Sequence, residues 1–201
     1  MAITLNKAQE LQWVKEGRVY HGTHGALTTP AAFETDLVRQ TPDFMIRVPA
    51  GVVIVPLRVL VVAEATDTAV FQALVSTCDN DPGTTGRTAF TPINVNSRYA
   101  QRTASTVTCY VTSTDNSGTA PTNVADVHRA YVQPRIDNVG TGSASFDQVI
   151  YAPLHGKGAP CVVGNENNMN AFLVYVGAAG TSTGYILTAW AEFTYAEFYA
   201  V

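Results

Sequence analysis

From Phe44 onward, apolar and polar residues alternate or run together in short blocks, and no block keeps a helical period. FMIRVPAG sets Phe44, Ile46 and Val48 against Met45, Arg47 and Pro49, the two-residue period of a strand with one face in a core. VVIVPLRVLVVAEA is almost continuously β-branched. That predicts a strand covered on both faces, or two strands with a bend at Pro56, where the missing N–H interrupts a ladder. STVTCYVTS alternates, with Thr106, Thr108, Tyr110 and Thr112 on one face and Val107, Cys109 and Val111 on the other. AVFQALVSTC, VHRAYVQPRI, FDQVIYAPL, NAFLVYVGAA and YILTAWAEFTYAEF complete the set, although the alanines of the first also allow a short helix. The segments between them, such as CDNDPGTTG, TDNSGTAPTN, NVGTGSAS and GTSTG, gather Asn, Asp, Pro and Gly and mark turns. Roughly seven or eight strands at regular spacing predict an all-β fold, an antiparallel sandwich of jelly-roll-like form, over 46–201.

Residues 1–45 read differently. Leu5, Ala8, Leu11 and Val14 fall near one face of a short helix that Gly17 can close. HGTHGALTTPAAFETDLVRQTPDF keeps neither period, which predicts an N-terminal arm. Trp13, Tyr20, Phe33 and Phe44 are costly to leave in water, so the arm is expected to dock, with Trp13 as anchor on a partner surface; the alternative is an arm folded back on its own sandwich.

Composition narrows the function. Charged residues are 14% of the chain against about 25% in an ordinary soluble domain. A weakly polar surface of this kind favours association, here self-association into a homo-oligomer. The net charge of −4 argues against a nucleic-acid partner, which needs a basic face. The most apolar run, Val48 to Ala63, holds Pro49, Gly51, Pro56 and Arg58, too broken for a membrane span of about 20 residues. The opening MAITLNKAQELQWVKEG lacks the basic and apolar regions of a secretory signal. Cys78, Cys109 and Cys161 are widely spaced and odd in number. They suit small buried hydrophobes made in a reducing cytoplasm, with one bridge and one free thiol as the alternative.

Reactive constellations are thin. His21 and His24 in HGTH offer two of the ligands zinc needs, without a third in view. Asp79, Asn80 and Asp81 open like a calcium loop, but the glycine is misplaced and no Glu closes it; an Asx-turn before Pro-Gly explains the run. No G-x-S-x-G elbow is present, and HGKG at 155–158 lacks the phosphate-loop frame. Glu64, Asp67, Glu192 and Glu197 have no spacing that sets two carboxylates face to face. Arg98, Tyr99 and Arg102 form a small basic-aromatic patch suited to a protein carboxylate. Neither an enzymatic activity nor a cofactor is expected.

Four stretches carry a resemblance: RVPAGVVIVPLRVLVVAEA, GRTAFTPINVNSRYAQRTASTVT, MNAFLVYVGAAGTSTGYILTAWAEF and the N-terminal arm. In this order they resemble the jelly-roll cement or decoration proteins of tailed bacteriophages. The matching loop holds Thr91, Pro92, Asn94 and Asn96, with Arg98 one residue later than the pattern asks, and the last strand carries Trp190, Glu192 and Phe193. The resemblance implies a virion structural protein on the capsid surface, made in the host cytoplasm. It would be trimeric and bound where major capsid protein subunits meet, with Trp13, Tyr20, Phe33, Thr91, Pro92, Asn94, Asn96 and Arg98 as partner-binding residues. The asparagines of TPINVN close Asx-turns and can bond a neighbouring backbone, which suits a subunit junction or an ordinary turn. The alternatives are another phage structural protein (capsid or tail fibre), or a carbohydrate-binding sandwich. The last needs Tyr110, Tyr131 and Tyr151 exposed on one face.

Overall fold

The computed structural model describes residues 7–24, 37–66, 71–80, 82–96, 104–112, 120–132, 143–153, 161–178 and 186–199. A helix, α1 (Lys7–Lys15), precedes the strands β1 (Val19–His24), β2 (Phe44–Val48), β3 (Val52–Thr66), β4 (Phe71–Cys78), β5 (Arg87–Phe90) and β6 (Ile93–Asn94). The remaining strands are β7 (Thr108–Thr112), β8 (Ala125–Val132), β9 (Ser143–Tyr151), β10 (Asn170–Ala178) and β11 (Ile186–Tyr199). They form two antiparallel sheets, ordered β6-β1-β11-β3-β9 and β5-β7-β2-β10-β4-β8. Strands β5, β6 and β7 lie between β4 and β8 in the chain and extend one edge of each sheet. Without them, the first, eighth, third and sixth strands make one sheet and the second, seventh, fourth and fifth the other. That is the connectivity of a jelly roll, two Greek keys wound together.

The long apolar runs owe their composition to burial on both faces. In β10, Phe172, Val174 and Val176 enter the core between the sheets. Ala171, Leu173 and Tyr175 face the other way and join Met45, Leu74 and Cys78 in a second cluster, with Leu37, Tyr110 and Val124 packed against it. A strand covered twice keeps no alternation. The run at 52–66 is one strand, and its irregularity sits at Pro56. Arg58 pairs with Thr194 and Pro56 with Tyr195, so Leu57 is the extra residue of a bulge. Before it Val52 and Ile54 point into the core; after it Val59 and Val61 do, so the bulge reverses the side-chain parity. AVFQALVSTC is strand, with no helix.

The jelly roll takes its first strand from within the range read as an arm. Val19–His24 lies between β11 and β6, and β2 begins at Phe44. VYHGTH hides its strand character because Gly22 stands where an inward side chain belongs. The ring of Phe193 fills that space, and a Cβ on Gly22 would sit 2.3 Å from Phe193 Cζ. In α1 the residues turned to the protein are Gln9, Glu10, Trp13 and Val14, while Ala8 and Leu11 are exposed, so the face that docks is not the Ala8–Leu11–Val14 stripe. Leu5 and Phe33 lie outside the described residues.

A loop closes onto β3 through the pair Ile54–Val163, whose two backbone hydrogen bonds are 2.8 and 3.0 Å. Gly164 follows with φ +126, and a Cβ there would lie 2.1 Å from the Val52 carbonyl oxygen. Gly51 also has positive φ, but open space around its would-be Cβ. Gly51→Ala should therefore cost about 1 kcal/mol, from backbone conformation alone. Gly164→Ala should cost about 1–3 kcal/mol more, because the obstacle is backbone. Urea midpoints of the two variants read this difference directly.

Candidate functional site

The helix α1 ends in a left-handed turn at Gly17, φ 72. The Gly17 amide donates to the Val14 carbonyl (3.0 Å) and the Arg18 amide to the Trp13 carbonyl (2.9 Å), the paired bonds of a Schellman cap. The TPINVN loop supplies the rest. Asn96 donates its side-chain amide to the Val14 carbonyl at 2.9 Å, and Asn94 donates to the Gly17 carbonyl at 2.6 Å. Asn94 Oδ1 accepts the Asn96 amide at 2.9 Å, an Asx-turn. The Val95 amide donates to the Val19 carbonyl at 3.0 Å. Trp13 sets its ring edge-on to Phe198 of β11, 5.0 Å between centroids, and the Arg18 guanidinium lies 5.3 Å from the centre of the same ring. Tyr20 stacks on Tyr195 at 5.7 Å and is 3% exposed.

Four of the residues singled out from sequence, Trp13, Tyr20, Asn94 and Asn96, thus meet at one place. Their partners are in the same chain: the asparagines close the helix terminus and the two rings pack on β11. Thr91 is exposed and Pro92 buried beside them. Phe33 and Arg98 lie outside the described residues. What this corner presents outward is Ile93, 66% exposed, and Val95, 47% exposed, neither of them singled out from sequence; on α1, Leu11 of the stripe read from sequence is 53% exposed. A β-strand edge that alternates polar-in and apolar-out inverts the usual pattern, and Asn94 buried between Ile93 and Val95 is the signal that carries it.

Below the helix a cleft of about 370 Å³ opens on the outer face of the five-stranded sheet. Val14, Val19, Val95 and Val149 wall it, with Glu10 and Arg58 as its charged residues. Partial burial raises the Glu10 carboxyl above the ordinary carboxylate range, and the nearby Lys7 charge partly offsets this.

Other candidates resolve into local structure. His21 and His24 are three apart on a strand and point to opposite faces. His21 Nδ1 lies 3.2 Å from Thr194 Oγ1, whereas His24 packs edge-on to Phe44 in the interior, so the two cannot share a metal ion. Burial lowers the His24 pKa. Among the described residues no three His, Cys, Asp or Glu side chains gather to hold a metal. Asp79 accepts from the Asn123 side chain (2.8 Å) and Asn80 accepts the Thr122 amide (2.7 Å), so the CDN run joins two loops; Asp81 lies outside the described residues. Tyr131 is exposed, Tyr110 packs on the second cluster and Tyr151 is buried, so these three make no aromatic row. Cys78, Cys109 and Cys161 are free, and burial raises all three thiols, Cys161 to about 11.

Glu197 is a buried carboxylate held by neutral donors. Ser105 Oγ donates at 2.7 Å, the Thr106 amide at 3.1 Å, and the Thr106 hydroxyl donates as well. Tyr195 lies 2.7 Å from Ser105 Oγ; with the Ser105 proton directed at the carboxylate, Tyr195 is the donor. The cluster ties the 104–107 segment to β11. Asp126 is held below the ordinary range, first by its hydrogen bonds from Arg39 (2.9 and 3.1 Å), then by that from Ser76.

A comparison with known protein families finds none that the chain matches, and a search of curated proteins finds no relative.

Two outcomes follow from these contacts. Asn96→Ala removes the amide that closes α1, and should lower stability by about 0.5–1.5 kcal/mol in chemical denaturation. The Asp126 carboxyl is depressed in the folded state, so its contribution is complete above the ordinary Asp pKa of about 3.9 and is lost as pH falls through the folded value. Its side chain is 38% exposed, so the effect is small. Arg39→Gln should flatten the acid limb of the stability–pH curve there and leave neutral-pH slopes unchanged.

Proposed function

We propose that this protein is a virion structural protein of the cement or decoration type, a homotrimer that binds the outer capsid of a tailed phage at junctions of major capsid protein subunits. The observation that carries the reading is the exposed apolar pair Ile93 and Val95, beside a helix that leaves Leu11 exposed as well. Large side chains stand in solvent there on a backbone that Asn94, Asn96 and the Schellman turn hold in place. Exposed apolar residues on a pre-ordered edge are what a docking surface needs, because little conformational entropy remains to be lost on binding. The jelly-roll connectivity and the low charge agree with the resemblance. In this reading Ile93 and Val95, rather than the asparagines between and beside them, make the contact.

Another phage structural role, in the shell or a tail fibre, uses the same fold and is the second reading. The glycan-binding reading loses its aromatic row, since of its three tyrosines Tyr131 alone is exposed.

The test is co-sedimentation of the purified protein with phage heads that lack it. Ile93→Asp and Val95→Asp change exposed positions, so the melting temperature should hold within a few degrees while attachment falls at least tenfold. Attachment by both variants at wild-type level would remove this corner from the contact. Light scattering should give three times the 21.5 kDa chain mass; a monomer at high micromolar concentration and in the particle would end the trimeric reading.

A further inference from the structure

The cleft under α1 has a property the docking corner does not need: a polar end. The bulge at Leu57 sets two consecutive side chains, Leu57 and Arg58, along the cleft, where a regular strand would turn one of them away. Arg58 pairs across the ladder with Thr194, whose hydroxyl lies 3.2 Å from His21 Nδ1. Among the described residues the Arg58 side chain has no hydrogen bond or ion pair. By contrast Arg18 pairs with Glu16 at 2.7 Å, and Arg39 and Arg129 share Asp126 at 2.9 and 4.0 Å. The charge acting on Glu10 is that of Lys7, so Arg58 is not spent there either. Apart from Glu10, contributed by α1, the remaining walls are apolar, chiefly Val14, Val19, Val95 and Val149. An unspent guanidinium beside an apolar trough is a two-part recognition element.

We propose that the cleft binds a small amphipathic anion, with an alkyl or aryl body along the valine wall and a carboxylate or sulfonate head on Arg58 and Thr194. The volume of about 370 Å³ lies at the small end of the range of about 300–1,000 Å³ for ligand pockets, which suits a medium-length chain. A guanidinium offers a planar fork of donors that matches the two oxygens of a carboxylate. The site stands on sheet geometry and holds whether or not the protein decorates a capsid.

The probe is decanoate, titrated calorimetrically into the full chain, with 1-decanol as its uncharged counterpart and anilinonaphthalene sulfonate as a fluorescent aryl anion. Wild type should take up one decanoate per chain saturably, and more tightly than decanol. Arg58→Gln should weaken decanoate at least tenfold and leave decanol unchanged. Val95→Trp, at a position half in solvent, should fill the trough and abolish both, with the far-ultraviolet circular dichroism of wild type. Arg129→Gln is the control and should bind decanoate as wild type does. Absence of saturable binding, an Arg58→Gln variant equal to wild type, or an equal loss in Arg129→Gln would each overturn the proposal. If Val95→Trp fails to fold, the Arg58→Gln comparison of decanoate with decanol decides alone, because Arg58 is exposed and unbonded.

Discussion

Strand β11 is the constraint on which the rest of this sandwich depends. It lies between β1 and β3, and it makes contacts on both faces. Phe193 and Tyr195 go inward, where Phe193 meets Phe44 and Phe90 and forces a glycine at position 22. Phe198 goes outward and receives Trp13 and Arg18, which fixes α1 over the sheet. Glu197 holds Ser105 and Thr106 and so ties down the lead into β7. Because the two sides of a strand are set by a period of two, a one-residue slip of β11 would bury Phe198 and expose Tyr195, undoing all three attachments together.

Each sheet needs a cover on its outer face, and each gets one from the N-terminal quarter of the chain. The helix α1 lies over the five-stranded sheet. Segment 37–43 serves the six-stranded sheet: Leu37 packs on the second cluster, the Arg39 carbonyl accepts the Tyr175 hydroxyl at 3.0 Å, and Asp43 accepts the Val176 amide at 2.6 Å. Arg39 then bridges to Asp126 on β8. The covered part of the six-stranded sheet accounts for some of the apolar excess of a chain with 14% charged residues: Met45, Leu74, Leu173 and Tyr175 are not surface at all.

The sandwich was legible because its strands obey simple rules. Phe44, Ile46 and Val48 alternate with their neighbours as a strand should, the run in β10 is continuous because both faces are covered, and in β3 the outward Val55 and Leu60 are buried as well. The strand β1 was not legible, for the physical reason that its inward positions are Tyr20, Gly22 and His24; a glycine under a phenylalanine ring and a half-buried histidine leave no apolar period to read. The helix face was misread for a related reason. α1 docks through Trp13 on one phenylalanine and through its cap, so the apolar stripe at 8, 11 and 14 does not set its orientation. Asn94 and Asn96 were visible as turn formers, but whether an Asx-turn serves a neighbour or its own chain depends on tertiary contacts. Here the acceptors, the Val14 and Gly17 carbonyls, come from a helix end roughly eighty residues away, with separations of 82 and 77.

The two ends of the sandwich differ in what they can offer a partner. At one end the edge of the five-stranded sheet is β6, two residues long, preceded by Pro92 and pinned by its asparagines to a helix terminus. A short strand next to a proline is poor ground for adding another strand, so what this edge offers is side chains, the exposed Ile93 and Val95. At the other end β8 and β9, of eight and nine residues, end the two sheets, and among the described residues each pairs on one side only. Those edges present backbone donors and acceptors, and on β8 they carry the exposed Val127 and Tyr131. Backbone pairing is tolerant of sequence and strict in geometry, whereas side-chain docking is the reverse. Under the proposed function, contacts between copies and contacts with the capsid gain from lying at opposite ends, since neither then competes for the other's edge.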